Sequence, residues 1–253
     1  MRRRTLIVGN WKMHKTIEEA RALVRALFSD DSWMHPGVDV VVAPPFTALA
    51  AVSEELRGND KIALCAQTMH WADRGAYTGE ISPTMLVDVG CRYVLLGHSE
   101  RRLTFNVTDA VVNKAAKSAL AHDLIPIIAV GETREEHDAG RAIERVTSQV
   151  MAALDGIDDF DRRRCVLAYE PIWAIGSGTP DDPQSANATM GAMRACDPAL
   201  ADVQILYGGS AKPDNIASFV AQPNVDGGLV GGASLEANSF AELIRNARPA
   251  VRA

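Results

Sequence analysis

Short, almost continuously apolar runs alternate with longer segments of helical periodicity along the whole chain. The apolar runs are rich in β-branched residues and do not alternate with polar ones, which is typical of parallel strands covered on both faces. Eight runs are predicted to be strands: Thr5–Trp11, Val38–Pro44, Ile62–Gln67, Tyr93–His98, Ile125–Gly131, Cys165–Glu170, Val203–Gly208 and Gly227–Val230. Helices are predicted between them, among them Ile17–Phe28, Asp109–Ala121, Glu132–Leu154 and Pro213–Val220.

This alternation predicts an α/β fold, with eight strand–helix units closed into a (β/α)8 barrel. Eight units in 253 residues fit a closed barrel better than an open, doubly wound sheet. The glycine fingerprint of a dinucleotide-binding strand–helix turn and the phosphate-binding G-x-x-x-x-G-K-[ST] motif do not occur, which weakens the open-sheet alternative. Because no linker or shift in composition interrupts the pattern, we expect one domain over residues 1–253.

Composition narrows the class of protein further. The chain is 47% apolar and 23% charged, and its net charge of −6 argues against a nucleic-acid partner. No apolar run approaches the ~20 residues that a membrane span needs, so no membrane association is expected. The four cysteines lack metal-ligand spacing and are expected to be reduced thiols in a cytoplasmic protein without a metal site.

Polar side chains follow several of the predicted strands. Asn10 and Lys12 end the first strand region, His98 and Glu100 follow the fourth, and Glu170 ends the sixth. In a closed barrel of this kind the active site is built at the carboxyl ends of the strands. The pattern therefore predicts that an amide, an ammonium, an imidazole and two carboxylates meet at one end of the barrel.

Glycine-rich turns follow the last two predicted strands. Gly208-Gly209-Ser210 precedes a helix predicted to begin at Pro213, and Gly231-Gly232 precedes one predicted to begin near Ser234. Glycines allow backbone N–H groups to approach an anion closely, and helix N-termini favour negative charge. The loops after strands seven and eight commonly bind phosphate in such barrels. We therefore expect a small phosphate ester as the ligand.

A segment that combines apolar residues with glycines follows Glu170 directly. It reads Pro171, Ile172, Trp173, Ala174, Ile175, Gly176, Ser177 and Gly178. Such a segment beside a carboxylate is predicted to form a lid, whose closure would exclude water and bring the Gly176 N–H to the phosphate.

Five segments resemble the signature segments of the triosephosphate isomerase family. They are Gly9–Met13, Leu96–Arg102, Ala168–Gly176, Tyr207–Ser210 and Leu229–Leu235, in family order within a match from Leu6 to about Leu243. The resemblance implies a TIM barrel, a homodimer, no cofactor and no metal. It also implies interconversion of dihydroxyacetone phosphate and D-glyceraldehyde 3-phosphate through an enediolate.

The resemblance implies a role for each matching residue. Glu170 would be the base that moves a proton between two carbons, and His98 would be the electrophile at the carbonyl. Lys12 would supply positive charge, Asn10 would complete the donors, and Glu100 would support the network. The substrate would be held by Asn10, Lys12, Gly176, Ser210, Gly231 and Gly232.

The segment Gln67–Ser82 resembles the family's third loop, which interdigitates between subunits. The residue matching Thr78 reaches into the partner subunit there, and Trp71 and Tyr77 suggest a buried contact, so a homodimer is expected.

Two alternatives remain at this point. The segment Met69–Asp73 resembles paralogues that isomerise four-carbon ketose phosphates such as erythrulose phosphate, although Gly9-Asn10 and Gly231–Leu235 follow the triose pattern. A barrel that only binds a phosphorylated metabolite would require the loss of a catalytic group. None of Asn10, Lys12, His98 and Glu170 is missing.

Overall fold

Eight parallel strands close into a barrel in chain order, and β8 pairs with β1. The computed structural model describes residues 3–175 and 180–248. The strands are β1 (Thr5–Asn10), β2 (Val38–Ala43), β3 (Ile62–Ala66), β4 (Tyr93–Leu96), β5 (Ile125–Val130), β6 (Val166–Tyr169), β7 (Ile205–Tyr207) and β8 (Gly227–Val230). The predicted closed (β/α)8 barrel is confirmed, and the extent of one domain over 1–253 stays a prediction.

Helices follow the strands and surround the barrel. They are α1 (Ile17–Ser29), α2 (Phe46–Leu56), α3 (Pro83–Val89), α4 (Ser99–Phe105), α5 (Asp109–Ala121), α6 (Arg134–Asp138), α7 (Ala142–Leu154), α8 (Asp159–Arg162), α9 (Pro183–Ala195), α10 (Ile216–Val220) and α11 (Ala237–Asn246). Among these described helices, none is long and apolar enough to cross a membrane.

The core has two layers, and this explains why the strand sequences are almost continuously apolar. Along β1, Leu6 and Val8 belong to the cluster inside the barrel, whereas Ile7 belongs to the cluster between strands and helices. Successive residues of a strand point to opposite faces, so a strand buried on both faces needs apolar residues at every position.

The predicted single helix over Glu132–Leu154 is wrong. The segment forms α6 and α7, which are separated at Gly140, whose φ is +68°. The N–H of Arg141 donates to the carbonyl of Glu136 at 2.9 Å, which ends α6 in a left-handed turn. Glycine adopts this conformation without steric cost, so the chain reverses there before α7 begins.

The helices after the glycine-rich turns begin later than predicted. Asn215 Oδ1 accepts from the Lys212 N–H at 2.8 Å and its amide donates to the Ser210 carbonyl at 2.9 Å, so a turn precedes α10 at Ile216. After β8, a 3₁₀ turn spans Gly232–Ser234 and α11 begins at Ala237.

Candidate active site

The carboxyl ends of β1, β4, β6, β7 and β8 surround a cleft of about 280 Å³. The predicted site residues that line it are Asn10, Lys12, His98, Glu170, Ser210, Gly231 and Gly232, together with Ile175 of the predicted lid. The structure therefore brings together residues that lie up to 222 positions apart in the sequence, from Asn10 to Gly232.

His98 and Glu170 form a buried pair in this cleft. His98 Nε2 lies 2.9 Å from Glu170 Oε1, and the Ser99 N–H donates to Glu170 Oε2 at 2.7 Å. Only 1% of Glu170 and 6% of His98 is exposed. Both oxygens of the carboxylate therefore have a protein donor, which is what a buried charge requires.

The surroundings of Glu170 keep it ionised. Burial alone would raise the pKa of its carboxyl group, but the charge and hydrogen bond of His98, with the Ser99 N–H, outweigh burial and lower the pKa below its usual value. Glu170 is therefore a carboxylate near neutral pH and can accept a proton.

His98 is oriented by the start of α4. It is the N-cap of that helix, and its Nδ1 accepts from the Glu100 N–H at 3.3 Å. In the neutral ring this bond leaves the proton on Nε2, the nitrogen that faces Glu170. Burial lowers the pKa of His98, but the charge and hydrogen bond of Glu170, together with the charge of Glu100, outweigh burial and raise the pKa above its usual value.

Lys12 is held in a conformation that non-glycine residues rarely adopt, with φ at +52°. Asn10 Oδ1 accepts from its N–H at 3.0 Å, and Gln67 Nε2 donates to its carbonyl at 2.8 Å. Its Nζ lies 2.7 Å from Glu100 Oε1. These contacts fix the backbone of Lys12 and direct its ammonium toward the cleft.

Two glycines provide the space that the charged side chains occupy. A Cβ on Gly208 would lie 2.9 Å from Glu170 Cγ, and a Cβ on Gly231 would lie 3.3 Å from Lys12 Cε. The glycine-rich turns therefore make room for the Glu170 carboxylate and the Lys12 ammonium, beyond any role in binding an anion.

The predicted lid is only partly described. In the described part, Trp173 Nε1 donates to Glu132 Oε1 at 2.7 Å, and the Ala174 carbonyl accepts from Ser210 Oγ at 2.7 Å. Glu132 is fully buried, and this burial raises its pKa. Gly176, Ser177 and Gly178 lie outside the described residues, so the lid and the contact of Gly176 with phosphate stay predictions.

Sequence reasoning did not single out several residues that hold the site. Ser99 lies inside a matched segment, but its contact with Glu170 needs the fold, as does the room that Gly208, predicted only as part of a phosphate-binding turn, leaves for Glu170. Gln67 follows β3 directly and Glu132 lies two positions after β5, so the same signal of polar residues at strand ends could have found both.

The loop after β3 lies beside the cleft instead of lining it. Tyr77 and Thr78 are exposed, and they are absent from the lining of the cleft in this single chain. The rings of Trp71 and Tyr77 pack against His70, with centroids 4.1 and 4.0 Å from its own. Met69–Asp73, the segment on which the four-carbon alternative rests, likewise does not line the cleft.

The arrangement suits proton transfer next to a carbonyl group. A carboxylate can take the proton, while an imidazole N–H and an ammonium stabilise the oxyanion that forms. One such donor contributes about 3–4 kcal/mol in measured cases. Among the residues that the structure describes, no three His, Cys, Asp or Glu side chains are grouped as metal ligands.

Comparison with known proteins identifies similar chains. The model of the family described as triosephosphate isomerase matches residues 5–247. A triosephosphate isomerase of Chloroflexus aurantiacus is 50% identical over 245 residues, covering 94% of this chain and 97% of the relative. Triosephosphate isomerases of Symbiobacterium thermophilum and Herpetosiphon aurantiacus are 48% and 49% identical, covering 95% and 96% of this chain and 96% and 99% of the relatives.

Replacing His98 by Gln tests whether the imidazole keeps Glu170 ionised. Glutamine retains an N–H donor but cannot carry a charge, whereas the burial of Glu170 remains. We expect the pKa of Glu170 to rise, so that the carboxyl group binds its proton at a higher pH. Infrared titration of the carboxyl band, assigned by its loss in Glu170→Gln, measures the shift. His35→Gln serves as the control, because His35 precedes β2 and lies at the amino-terminal end of the barrel, away from Glu170. An unchanged pKa in His98→Gln would contradict this account.

Proposed function

The chain belongs to the triosephosphate isomerase family, and we propose that it interconverts dihydroxyacetone phosphate and D-glyceraldehyde 3-phosphate in the cleft described above. The observation that carries the proposal is the buried pair of Glu170 and His98, which lies beside Lys12 and between the turns that follow β7 and β8. This set provides a base, an electrophile and a binding site for a phosphate group.

In the proposed reaction Glu170 takes a proton from C1 of dihydroxyacetone phosphate. The C–H electrons form the double bond of an enediolate, and the carbonyl oxygen gains negative charge. His98 donates from Nε2 to this oxygen, and the Lys12 ammonium stabilises the charge. Glu170 then returns the proton to C2, while the C1 hydroxyl proton is passed through His98 to the C2 oxygen. The C1 oxygen thereby becomes the carbonyl and the C2 oxygen a hydroxyl. Substrate and product are isomers, so no oxidant or reductant is consumed.

The substrate also frees the base in this proposal. Without ligand, Glu170 Oε1 accepts from His98 and Oε2 accepts from the Ser99 N–H. When the substrate oxygen takes the Nε2–H of His98, Glu170 loses one of its two donors. Burial, which raises the pKa of Glu170, is then offset by fewer stabilising contacts, so the proton affinity of the carboxylate increases.

The phosphate group is assigned to the turns after β7 and β8. Ser210, Gly231 and Gly232 line the cleft there, with Lys12 at its edge. A dianion is favoured where backbone N–H groups and an ammonium converge. Glu100 binds Lys12 Nζ with its carboxylate and His98 Nδ1 with its N–H, so it positions both side chains without lining the cleft.

Replacing Glu170 by Asp keeps the carboxylate but withdraws it by one methylene group, about 1 Å. A displacement of this size can reduce a rate on the order of 100-fold. We expect kcat to fall by about that factor and KM to change little. Steady-state kinetics on triose phosphates measure both, with Glu144→Asp on the exposed face of α7 as the control. An unchanged kcat would show that Glu170 is not the base.

A direct comparison of substrates tests the proposed activity. Purified protein is assayed on glyceraldehyde 3-phosphate and on erythrulose phosphate under the same conditions. We expect kcat/KM to be higher for the triose, because Met69–Asp73 does not reach the cleft. An equal or higher value for the tetrulose would favour the four-carbon alternative. Binding without turnover of either would favour a barrel that only binds phosphorylated metabolites.

A homodimer is the proposed assembly. Large apolar side chains are exposed on segments that follow β1, β3 and β4, including Met13 at 94%, Tyr77 at 47% and Phe105 at 62%. Exposed apolar groups of this size favour burial against a partner. In the family, the residue matching Thr78 enters the partner subunit.

Thr78→Arg tests the proposed dimer. We expect the wild type to sediment at twice the chain mass of 27.2 kDa. Thr78→Arg should shift it toward the monomer, because the contact would bury an unpaired charge. Ala217→Arg on the exposed side of α10 should stay dimeric. A monomeric wild type would contradict the proposal.

A cytoplasmic location is also proposed. Cys65, Cys91, Cys165 and Cys196 are all free thiols, as is usual in a reducing compartment. Cell fractionation with an activity assay tests it, and activity confined to a secreted fraction would contradict it.

A further inference from the structure

A second cavity lies at the amino-terminal end of the barrel, opposite the cleft. Its volume is about 610 Å³, more than twice the 280 Å³ of the cleft. Five arginines from three segments line it: Arg3 and Arg4 before β1, Arg92 before β4, and Arg163 and Arg164 before β6. The established chemistry of the fold takes place at the other end, so none of these residues has a role in the proposed isomerisation.

Three of the arginines are held by carboxylates. Arg3 Nε lies 2.8 Å from Asp226 Oδ1. Arg4 makes two hydrogen bonds of 2.7 Å to Asp39. Arg164 lies 2.9 Å from Asp123 Oδ1 and 2.7 Å from Asp161 Oδ1. These ion pairs hold the guanidinium groups of Arg3, Arg4 and Arg164 in place around the cavity.

Arg92 and Arg163 have no such partner. Neither guanidinium forms a hydrogen bond or ion pair with a side chain of the described residues, and both residues are exposed. The Arg92 guanidinium lies 5.8 Å from the ring centroid of Tyr93. The five arginines are matched by five aspartates, of which Asp39, Asp123 and Asp202 line the cavity and Asp161 and Asp226 lie outside its lining. Arg92 and Arg163 are nevertheless the two guanidinium groups that no carboxylate holds.

Tyr93 provides a neutral donor at the floor of the cavity. Its ring packs in the cluster inside the barrel and the residue is only 8% exposed. Its hydroxyl group has no hydrogen-bond partner among the described residues, although Tyr93 lines the cavity. Burial raises the pKa of Tyr93, which keeps the hydroxyl protonated. The hydroxyl oxygen is not fully buried but opens to the cavity, so a ligand there can take the place of water as its hydrogen-bond partner.

We propose that this cavity binds an anion carrying two or more phosphate groups, held by Arg92, Arg163 and the Tyr93 hydroxyl. A guanidinium presents paired N–H donors that match phosphate oxygens, and two unpaired guanidinium groups can each hold one phosphate. The volume of the cavity accommodates a chain of phosphates better than a single phosphate. An inorganic oligophosphate and a nucleotide share this chemistry.

Calorimetry with pyrophosphate, tripolyphosphate, ATP and orthophosphate tests the site on the wild-type protein. We expect the compounds with several phosphates to bind, and Arg92→Met combined with Arg163→Met to weaken them by at least about tenfold. Arg141→Met, at the start of α7 and at the other end of the barrel, is the matched control and should bind as the wild type does. Equal binding of ATP and tripolyphosphate identifies the phosphate chain as the ligand, whereas much tighter binding of ATP identifies a nucleotide.

Kinetics separate this site from the cleft. The double variant should keep the wild-type kcat and KM on triose phosphate, because Arg92 and Arg163 lie at the other end of the barrel. Circular dichroism checks the fold, and Arg163→Met alone replaces the double variant if that one does not fold. Three results would overturn the proposal: no binding of any oligophosphate, orthophosphate binding equally well, or oligophosphate binding that competes with the triose and is unchanged in the double variant.

Discussion

A carboxylate and an imidazole meet at the carboxyl end of the barrel, and their contact of 2.9 Å constrains the strands around them. Glu170 follows β6 and His98 follows β4, so the pair spans the intervening strand β5. The strands on both sides of β6 must leave room for Glu170. A Cβ on Gly131, after β5, would lie 1.8 Å from the Glu170 carbonyl oxygen, and a Cβ on Gly208, after β7, would lie 2.9 Å from its Cγ. A glycine on each side is therefore a condition for the position of the base.

The same pair explains how a buried charge is tolerated and used. An unpaired carboxylate in such a position would be neutralised, but two donors hold Glu170 in the ionised form. One of these donors, His98 Nε2, is also the group proposed to bind the substrate oxygen. Binding therefore removes a stabilising contact from the base at the moment when a higher proton affinity is useful. Lys12 is also held in place by the protein before any ligand binds, because Asn10 and Gln67 fix its backbone at a φ of +52°.

The barrel and most of the site could be predicted from the sequence because both depend on local patterns. Apolar strands buried on both faces are distinctive, and so are polar residues at their carboxyl ends. The break at Gly140 and the late start of α10 were missed because they depend on single turns, such as the one closed by the Asn215 side chain. The contact of Ser99 with Glu170, across 71 positions, could be found only from the fold. The cluster of Arg92, Arg163 and Tyr93 depends in the same way on strands that are distant in the sequence.

The two ends of the barrel thus carry different groups. The carboxyl end carries the closely packed residues of the proposed active site, and the amino end carries arginines, three of them held by aspartates, around an open cavity. The central claim concerns the first, namely that Glu170 itself carries the proton between the two carbons. Proton NMR of dihydroxyacetone phosphate in D₂O tests it most directly. The wild type should form product and introduce deuterium at carbon, and Glu170→Gln should do neither while still binding substrate. Deuterium incorporation by Glu170→Gln at the wild-type rate would contradict the account.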